Sequence, residues 1–198
     1  MIGLYTKKNK GVWFGVACNE KEIFATSFSS NKETTLQDLL SNIPFDVSFC
    51  SPEKPSLLAE RVLDLLKDVY DGKEVFHSFS LATEHLSRYA QNVIKVVSLI
   101  PLGYVTSYGS VAKVAGGSPR AVGRVMASNP FAPIVPCHRV VSSDFTLGGY
   151  GGGLNAKLEF LRRENRGYTS KREIPLKNGK LQLFPVEFLL KQLEKGKC

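Results

Sequence analysis

Cys137-His138-Arg139 places a thiol, an imidazole and a guanidinium in a row, between the apolar pairs Ile134-Val135 and Val140-Val141. A cysteine beside a base can act as a nucleophile, although a free cysteine in an apolar run can equally be a buried structural residue. The run favours a buried strand. Pro136 cannot donate to a strand ladder, so the strand should end or bend beside the thiol. This segment alone leaves both interpretations of the cysteine open.

A carboxylate of unusual position follows downstream. The spacing of Leu154, Leu158 and Leu161 predicts a helix over residues 154–163 with these leucines facing inward, and Glu164 lies at its C-terminal end. The helix dipole disfavours negative charge at that end. Glu164 therefore needs a cationic or hydrogen-bonding partner.

The glycine-rich segment 148–153 contains Tyr150 and is not followed by the Gly-Lys-Ser/Thr of a phosphate-binding loop. Its backbone amides could instead be presented to a flat ligand, with Tyr150 as a wall.

Residues 110–127 read as helix, glycine turn and helix, the helix-turn-helix pattern. Ser118 and Pro119 are the residue types expected at the N-cap and first position of the second helix. That helix is slim, with few long polar side chains for reading base edges, which favours binding by shape and phosphate contact. Two helices that simply pack together remain an alternative. The small and basic residues of this helix are Ala121, Gly123, Ala127, Arg120 and Arg124.

The charge is concentrated in the second part of the chain. The net charge of +8 divides into −2 over residues 1–83, +6 over 84–166 and +4 over 167–198. A basic second part suggests contact with a polyanion such as DNA, and a solvated basic surface is the alternative.

Several classes of protein are excluded by composition. No apolar run is long enough to span a membrane, and no signal core stands at the N-terminus, so we expect a cytoplasmic protein. The four cysteines form no Cys-x-x-Cys pair, which indicates neither a disulfide framework nor a metal site. A Cys18–Cys50 bridge is possible but is not expected in a reducing compartment.

The first 83 residues predict an α/β unit, with strands at 12–17, 23–28 and 75–81 and helices at 34–40 and 56–70. His77 would be a partly exposed strand residue. A helix over 84–100 with Thr83 as N-cap begins the second part. A hairpin over 140–148 would be the wing of a winged helix. The tail has an Asn178-Gly179 hairpin signal and a helix over 185–195, suited to a structural appendage or to a further DNA or partner contact.

Three motifs together carry a resemblance to a known family. Pro136-Cys137-His138-Arg139-Val140, with Asn129-Pro130 and Arg120-Ala121-Val122-Gly123 before it, resembles the O6-alkylguanine-DNA alkyltransferase family over residues 84–166. The resemblance implies an α+β protein. Its N-terminal α/β domain (RNase H-like) would span 1–83, a winged-helix-like helix-turn-helix domain with the active site would span 84–167, and a C-terminal extension would span 168–198.

The implied function is DNA repair by direct reversal. An alkyl group would move from O6-alkylguanine, and from O4-alkylthymine, in double-stranded DNA to Cys137, once per molecule and after base flipping. The activity would be that of a methylated-DNA–protein-cysteine S-methyltransferase, acting as a monomer without metal or cofactor. It would work in the cytoplasm, at the nucleoid in a prokaryote.

The resemblance also implies roles for single residues. Cys137 would be the acceptor, His138 its general base through a water, and Glu164 the group that orients His138. Asn129 would be a hinge, and Tyr108 would help rotate the target nucleotide and assist proton transfer to guanine.

Further implied roles concern the DNA and the pocket. Arg120 would insert into the duplex, and the carbonyls of Cys137 and Val140 would accept from the guanine amine. The DNA-binding residues would be Ser118, Ala121, Gly123, Arg124 and Ala127, together with Arg120 and Tyr108. The pocket residues would be Pro136, Val140, Tyr150, Gly151 and Lys157.

Three departures from the family pattern stand out. Gly151 occupies a position where many relatives have serine, so the pocket could be wider there and tolerance of bulky adducts could change in either direction. The N-terminal part lacks the Cys/His set with which some relatives bind zinc, and the tail over 168–198 is additional to the family pattern.

Three other functions compete with this one. A damage-binding relative without repair activity would lack Cys137, and a winged-helix regulator would carry more base-reading side chains. A cysteine hydrolase would need Cys137 and His138 to pair directly, although neighbours on a strand point to opposite faces.

Overall fold

The computed structural model describes residues 1–75 and 78–195 and has the predicted α+β fold. It divides into two compact units. One comprises Met1–Leu86 together with the short segment Pro130–Ile134, and the other comprises Ser87–Asn129 and the chain from Val135 onward. These units differ from the predicted ranges at three points: the boundary lies between Leu86 and Ser87 and not after residue 83, residues 130–134 belong to the first unit, and the tail belongs to the second.

The first unit is a five-stranded sheet with two helices. Strand order is β4-β1-β2-β3-β5, with β1, β2 and β3 antiparallel and both outer strands parallel to their neighbours. The elements are β1 Ile2–Asn9, β2 Val12–Cys18, β3 Glu22–Ser29, α1 Lys32–Asn42, β4 Phe49–Cys50, α2 Leu57–Tyr70 and β5 Ser80–Leu81. Of the strand predicted over 75–81, the described residues show Ser80–Leu81 as a strand, and His77 lies outside the described residues.

Thr26 attaches the segment 130–134 to this sheet. Its N–H donates to the carbonyl of Pro130 at 2.8 Å, and its hydroxyl donates to the carbonyl of Ala132 at 2.8 Å.

Strand register settles the question of a Cys18–Cys50 bridge. Both residues pair with Gly3, Cys18 from β2 and Cys50 from β4, on opposite sides of β1. Two strand spacings place their Cα atoms roughly 9.5 Å apart, beyond the reach of a disulfide. Both are free thiols in the structure, and Cys198 lies outside the described residues.

The second unit combines helices with a four-stranded sheet in the order β7-β6-β9-β8. β6 lies between β7, to which it is parallel, and β9, to which it is antiparallel. The elements are α3 Arg88–Val97, β6 Tyr104–Ser107, α4 Tyr108–Ala115, α5 Pro119–Ala127, β7 Val140–Val141, α6 Leu154–Arg163, β8 Arg172–Leu176, β9 Gly179–Pro185 and α7 Val186–Lys195. In the described ranges, no helix is long and apolar enough to cross a membrane.

Local signals predicted several elements of this unit correctly. Ser118 caps α5, because its hydroxyl accepts from the N–H of Ala121 at 3.2 Å, and Pro119 occupies the first turn. The tail forms the predicted hairpin around Asn178-Gly179 and the predicted helix. The N-cap predicted at Thr83 was wrong: α3 begins after Ser87, whose hydroxyl accepts from the N–H of Ala90, and Thr83 belongs to the preceding turn.

The predicted wing over 140–148 was also wrong. Val140–Val141 pairs with Thr106–Ser107 of β6 rather than with residues that follow it. The chain then makes a tight turn in which the N–H of Ser142 donates to the carbonyl of Thr146 at 3.0 Å, and no strand returns from it within the described residues.

Candidate active site

Cys137 lies on a single turn of 3-10 helix, Cys137–Arg139, and not on the strand that its apolar surroundings predicted. Prolines at 133 and 136 deprive this segment of ladder donors. The carbonyl of Val135 accepts hydrogen bonds from the N–H of Cys137 at 2.8 Å and from Nδ2 of Asn129 at 2.9 Å. The Asn129 side chain also hydrogen-bonds the thiol. Asn129 therefore ties the end of α5 to the cysteine turn.

His138, Arg139 and Glu164 form one buried cluster. Nε2 of His138 lies 2.9 Å from Oε1 of Glu164. Arg139 donates to the same carboxylate from Nε at 2.8 Å and from its terminal NH2 at 2.7 Å, and its third nitrogen donates to the carbonyl of Ile100 at 2.6 Å. The carboxylate at the end of α6 thus has two partners, of which sequence reasoning named only His138. Arg139 was missed although it stands in the same motif.

The cluster dictates the tautomer of His138. Burial raises the pKa of Glu164, but His138 and Arg139 outweigh that effect and lower it to about 2, so the carboxylate is ionised. An ionised carboxylate only accepts, so Nε2 must carry the proton and Nδ1 the lone pair. Burial lowers the pKa of His138, with Glu164 acting in the opposite direction, so the ring is neutral at pH 7.

The lone pair of His138 is available for a proton. The ring stacks on Phe160 of α6, with centroids 4.7 Å apart. Nδ1 is buried and has no hydrogen-bond partner among the described residues. A fixed, neutral imidazole with a free lone pair is the form that can serve as a general base.

The thiol itself is not ionised at rest. Burial raises the pKa of Cys137, and this outweighs the hydrogen bond from Asn129 and the positive charge of Lys157, which lower it. Because the thiolate is the nucleophile, the site needs a group that removes the proton when Cys137 reacts.

Lys157 is fully buried on α6. Its ammonium donates to the carbonyls of Val140 at 2.6 Å and Gly149 at 3.2 Å. Burial lowers its pKa to about 8. The inward face of α6 is formed by Lys157, Phe160 and Leu161, so the prediction that Leu154 faces inward was wrong; 52% of its surface is exposed.

A cavity of about 380 Å³ opens onto the thiol. That volume lies in the range of small-molecule sites. Its lining residues are Tyr108, Pro119, Gly123, Met126, Ala127, Cys137, Gly149, Tyr150 and Gly151. Three residues predicted for the pocket, Pro136, Val140 and Lys157, are buried and are not part of this lining.

The tyrosines and Gly151 shape the cavity. The Tyr108 hydroxyl donates to the carbonyl of Gly149 at 3.3 Å. The Tyr150 hydroxyl is buried without a hydrogen-bond partner among the described residues, and burial holds its pKa well above the usual value. A Cβ placed on Gly151 would meet nothing within 4 Å, so the cavity is open at this position.

The helix α5 lines part of the cavity with one set of residues and exposes others on the protein surface. Gly123 and Ala127 line the cavity. Ala121 is half-buried, whereas Ser118, Arg120, Arg124 and Ala127 are exposed. The predicted DNA-binding residues therefore form a mostly exposed face that begins at the mouth of the cavity.

Comparison with known proteins points to one family. Residues 88–166 match the family model "6-O-methylguanine DNA methyltransferase, DNA binding domain". The methylated-DNA–protein-cysteine methyltransferase of Methanocaldococcus jannaschii is 38% identical over 121 residues, which cover 61% of this chain and 71% of the relative. The enzyme of the same name from Methanothermobacter thermautotrophicus is 38% identical over 117 residues, 59% of this chain; the match spans just under two thirds of that relative's length, 66%.

Solved structures agree in fold. The crystal structure of the O6-methylguanine-DNA methyltransferase from Pyrococcus kodakaraensis superposes with a TM-score of 0.63 at 27% identity, covering 84% of this chain and all of that one.

Proposed function

Because the chain belongs to the 6-O-methylguanine DNA methyltransferase family, we propose that it repairs DNA by moving an alkyl group from O6 of guanine to Cys137. O4-alkylthymine would be a second substrate of the same chemistry. The observation that carries the proposal is the thiol at the base of a cavity, next to a neutral histidine whose orientation is held by Glu164 and Arg139.

The proposed reaction is a displacement at the alkyl carbon. The thiol proton passes to Nδ1 of His138, and because these groups share no direct hydrogen bond in the structure, a water carries it. The thiolate attacks the alkyl carbon, a carbon–sulfur bond forms and the carbon–O6 bond breaks. Guanine leaves with the bonding electrons and takes up a proton. Tyr108, at the cavity wall, would assist this transfer by turning its hydroxyl from the Gly149 carbonyl toward the base, and the proton held by His138 would then restore the tyrosine hydroxyl, so that the thiol proton ends on guanine. The thioether is stable, so each molecule acts once.

The substrate must leave the duplex to reach the thiol. A stacked base cannot enter a cavity, and flipping it out costs a few kcal/mol. Arg120 is exposed in the first turn of α5, and we propose that it fills the space left in the duplex. The exposed residues of α5 would contact the surrounding DNA backbone.

The carbonyls proposed to bind the guanine amine already have partners. The N–H of Val140 donates to Cys137, and Lys157 donates to Val140. A carbonyl oxygen has two lone pairs, so each can still accept one more hydrogen bond. Lys157 would thereby hold the Val140 carbonyl in place.

The proposal is tested by mass measurement of the intact protein. Incubation with duplex DNA containing O6-methylguanine should add one methyl group per molecule, located at Cys137, and Cys137→Ala should gain none. Retained DNA binding without any gain in mass would contradict the proposal and indicate a damage-binding protein.

A second measurement tests the flipping role of Arg120. Arg120→Ala should slow transfer from duplex DNA more than transfer from free O6-methylguanine, with Arg162→Ala as a surface control. Equal slowing on both substrates would contradict a role in base flipping. Gel filtration with and without duplex DNA tests the monomeric state that we propose.

A further inference from the structure

The tail hairpin β8–β9 occupies a defined place beside the helix-turn-helix. β6 connects α3 to α4, and β9 pairs with it antiparallel through Tyr104–Pro185 and Val105–Phe184. β8 continues the sheet outward. A hairpin that follows the recognition helix and pairs with the strand between the first two helices has the connectivity of the wing in a winged helix. Residues 140–148, where a wing was predicted, form no such hairpin.

Buried contacts hold the hairpin rigidly against α4. Leu181 and Leu183 are buried in the core of this unit. The hydroxyl of Thr106 donates to the carbonyl of Gln182 at 2.6 Å, and the N–H of Gln182 donates to the hydroxyl of Ser110 at 3.0 Å. The hairpin is therefore a fixed part of the domain and not a loose appendage.

The tip of the hairpin reaches the end of α4. Nδ2 of Asn178 donates to the carbonyl of Val114 at 3.3 Å. Gly179 adopts a φ of +135°, which a residue with a side chain rarely takes. Two residues beyond Val114 the chain enters the glycine turn before α5. The tip thus lies next to the turn of the helix-turn-helix.

The hairpin presents basic side chains at this place. Residues 171–185 contain four lysine or arginine residues and one acidic residue. Lys171 and Arg172 lie over aromatic rings, and Lys180 forms an exposed ion pair with Glu173. Lys177 is exposed at the tip and forms no ion pair within the described part of the chain. Lys113 on α4 adds a further exposed positive charge nearby in the fold.

We propose that the β8–β9 hairpin is a second DNA-contacting element, which binds the phosphate backbone beside the duplex held by α5. Lys177 makes the main contact and Lys180 a further one. The proposal rests on the proposed function, because it requires DNA to lie on the helix-turn-helix. A lysine on a phosphate carries no sequence information, so the hairpin adds affinity for any duplex.

Salt dependence of DNA binding tests this contact. The logarithm of the binding constant falls as the logarithm of the salt concentration rises, and each lost phosphate contact makes this negative slope shallower by about 0.9. Lys177→Ala should therefore reduce the slope by about one unit and weaken binding of undamaged duplex roughly three- to tenfold near 0.1 M salt. Lys177→Ala/Lys180→Ala should reduce it further. The matched control, Lys191→Ala/Lys195→Ala, removes the same charge from α7 and not from the hairpin, and it should leave the slope unchanged.

Transfer from free O6-methylguanine separates this proposal from the repair activity. All variants should gain one methyl group from the free base at the wild-type rate, and all should keep the wild-type Tm. If hairpin and control variants show the same slope while every protein is still methylated, the hairpin proposal is overturned and the repair function stands. If no protein is methylated but the salt dependence of DNA binding is weaker in the hairpin variants than in the control, the repair function fails and the DNA contact stands.

Discussion

Arg139 donates two hydrogen bonds, of 2.8 and 2.7 Å, to the carboxylate of Glu164, and the same carboxylate lies 2.9 Å from Nε2 of His138. The residue next to the histidine therefore sets the position and charge of the group that orients the histidine. A third bond, to the carbonyl of Ile100, ties this arrangement to the end of α3. The proposed base is thus held by the core of the domain.

Removing Arg139 should destabilise the fold. Arg139→Gln leaves a fully buried carboxylate without its cation, and breaking a buried pair in this way should cost about 3–5 kcal/mol. Denaturant unfolding measures the loss. The control is Arg162→Gln, whose ion pair with Glu159 is about half exposed on both sides and should be worth under ~1 kcal/mol. Equal losses for the two variants would contradict the structural role of Arg139.

Acid stability should depend on Glu164. Its pKa in the folded protein is about 2, below its ordinary value of 4.5. The folded state therefore binds fewer protons than the unfolded state between these values, so this contribution is complete above about pH 4.5 and is lost as pH falls toward 2. Unfolding free energies measured from pH 6 to 2 should fall less steeply for Glu164→Gln than for wild type. Parallel curves would show that Glu164 contributes nothing to the loss of stability in acid.

His138→Gln should slow alkyl transfer in a pH-dependent way. At pH 7 the thiol is protonated, and loss of the base should reduce the single-turnover rate by on the order of a hundredfold. Without the base, the variant depends on direct ionisation of the Cys137 thiol, whose pKa burial raises. Its rate deficit relative to wild type should therefore narrow as the pH rises and a larger fraction of the thiol ionises. Rapid-quench rates between pH 6 and 9.5 test this, with Tm as the check on folding. A deficit constant across that range would indicate that His138 is structural.

Gly151→Ser should fold normally and change the range of alkyl groups. No atom lies within 4 Å of a Cβ at this position, so Tm should not change. The added side chain narrows the cavity, so transfer of a benzyl group should slow more than transfer of a methyl group. Single-turnover rates with O6-benzylguanine and O6-methylguanine DNA give the ratio, and Gly149→Ser, also at the cavity, serves as a positional control. An unchanged ratio for Gly151→Ser would contradict a limit on adduct size at residue 151.

Elements that depend on neighbouring residues could be predicted from the sequence. Ser118 and Pro119 start α5 because capping is a bond between residues three apart. Asn178-Gly179 makes a hairpin because a tight turn depends on its own backbone angles. The motif around Cys137 likewise indicated the family, and Glu164 was recognised as a carboxylate in need of a partner.

What only the tertiary structure decided rests on contacts between distant residues. Arg139 meets the carbonyl of Ile100 and the carboxylate of Glu164, 39 and 25 residues away, and these distances in sequence carry no local signal. Lys157 was predicted by resemblance, but its burial against the Val140 carbonyl depends on how α6 packs. The cysteine was expected on a strand because its neighbours are apolar. Asn129 and the prolines hold it instead on a turn, since a side-chain bond to Val135 replaces the ladder that a strand would need.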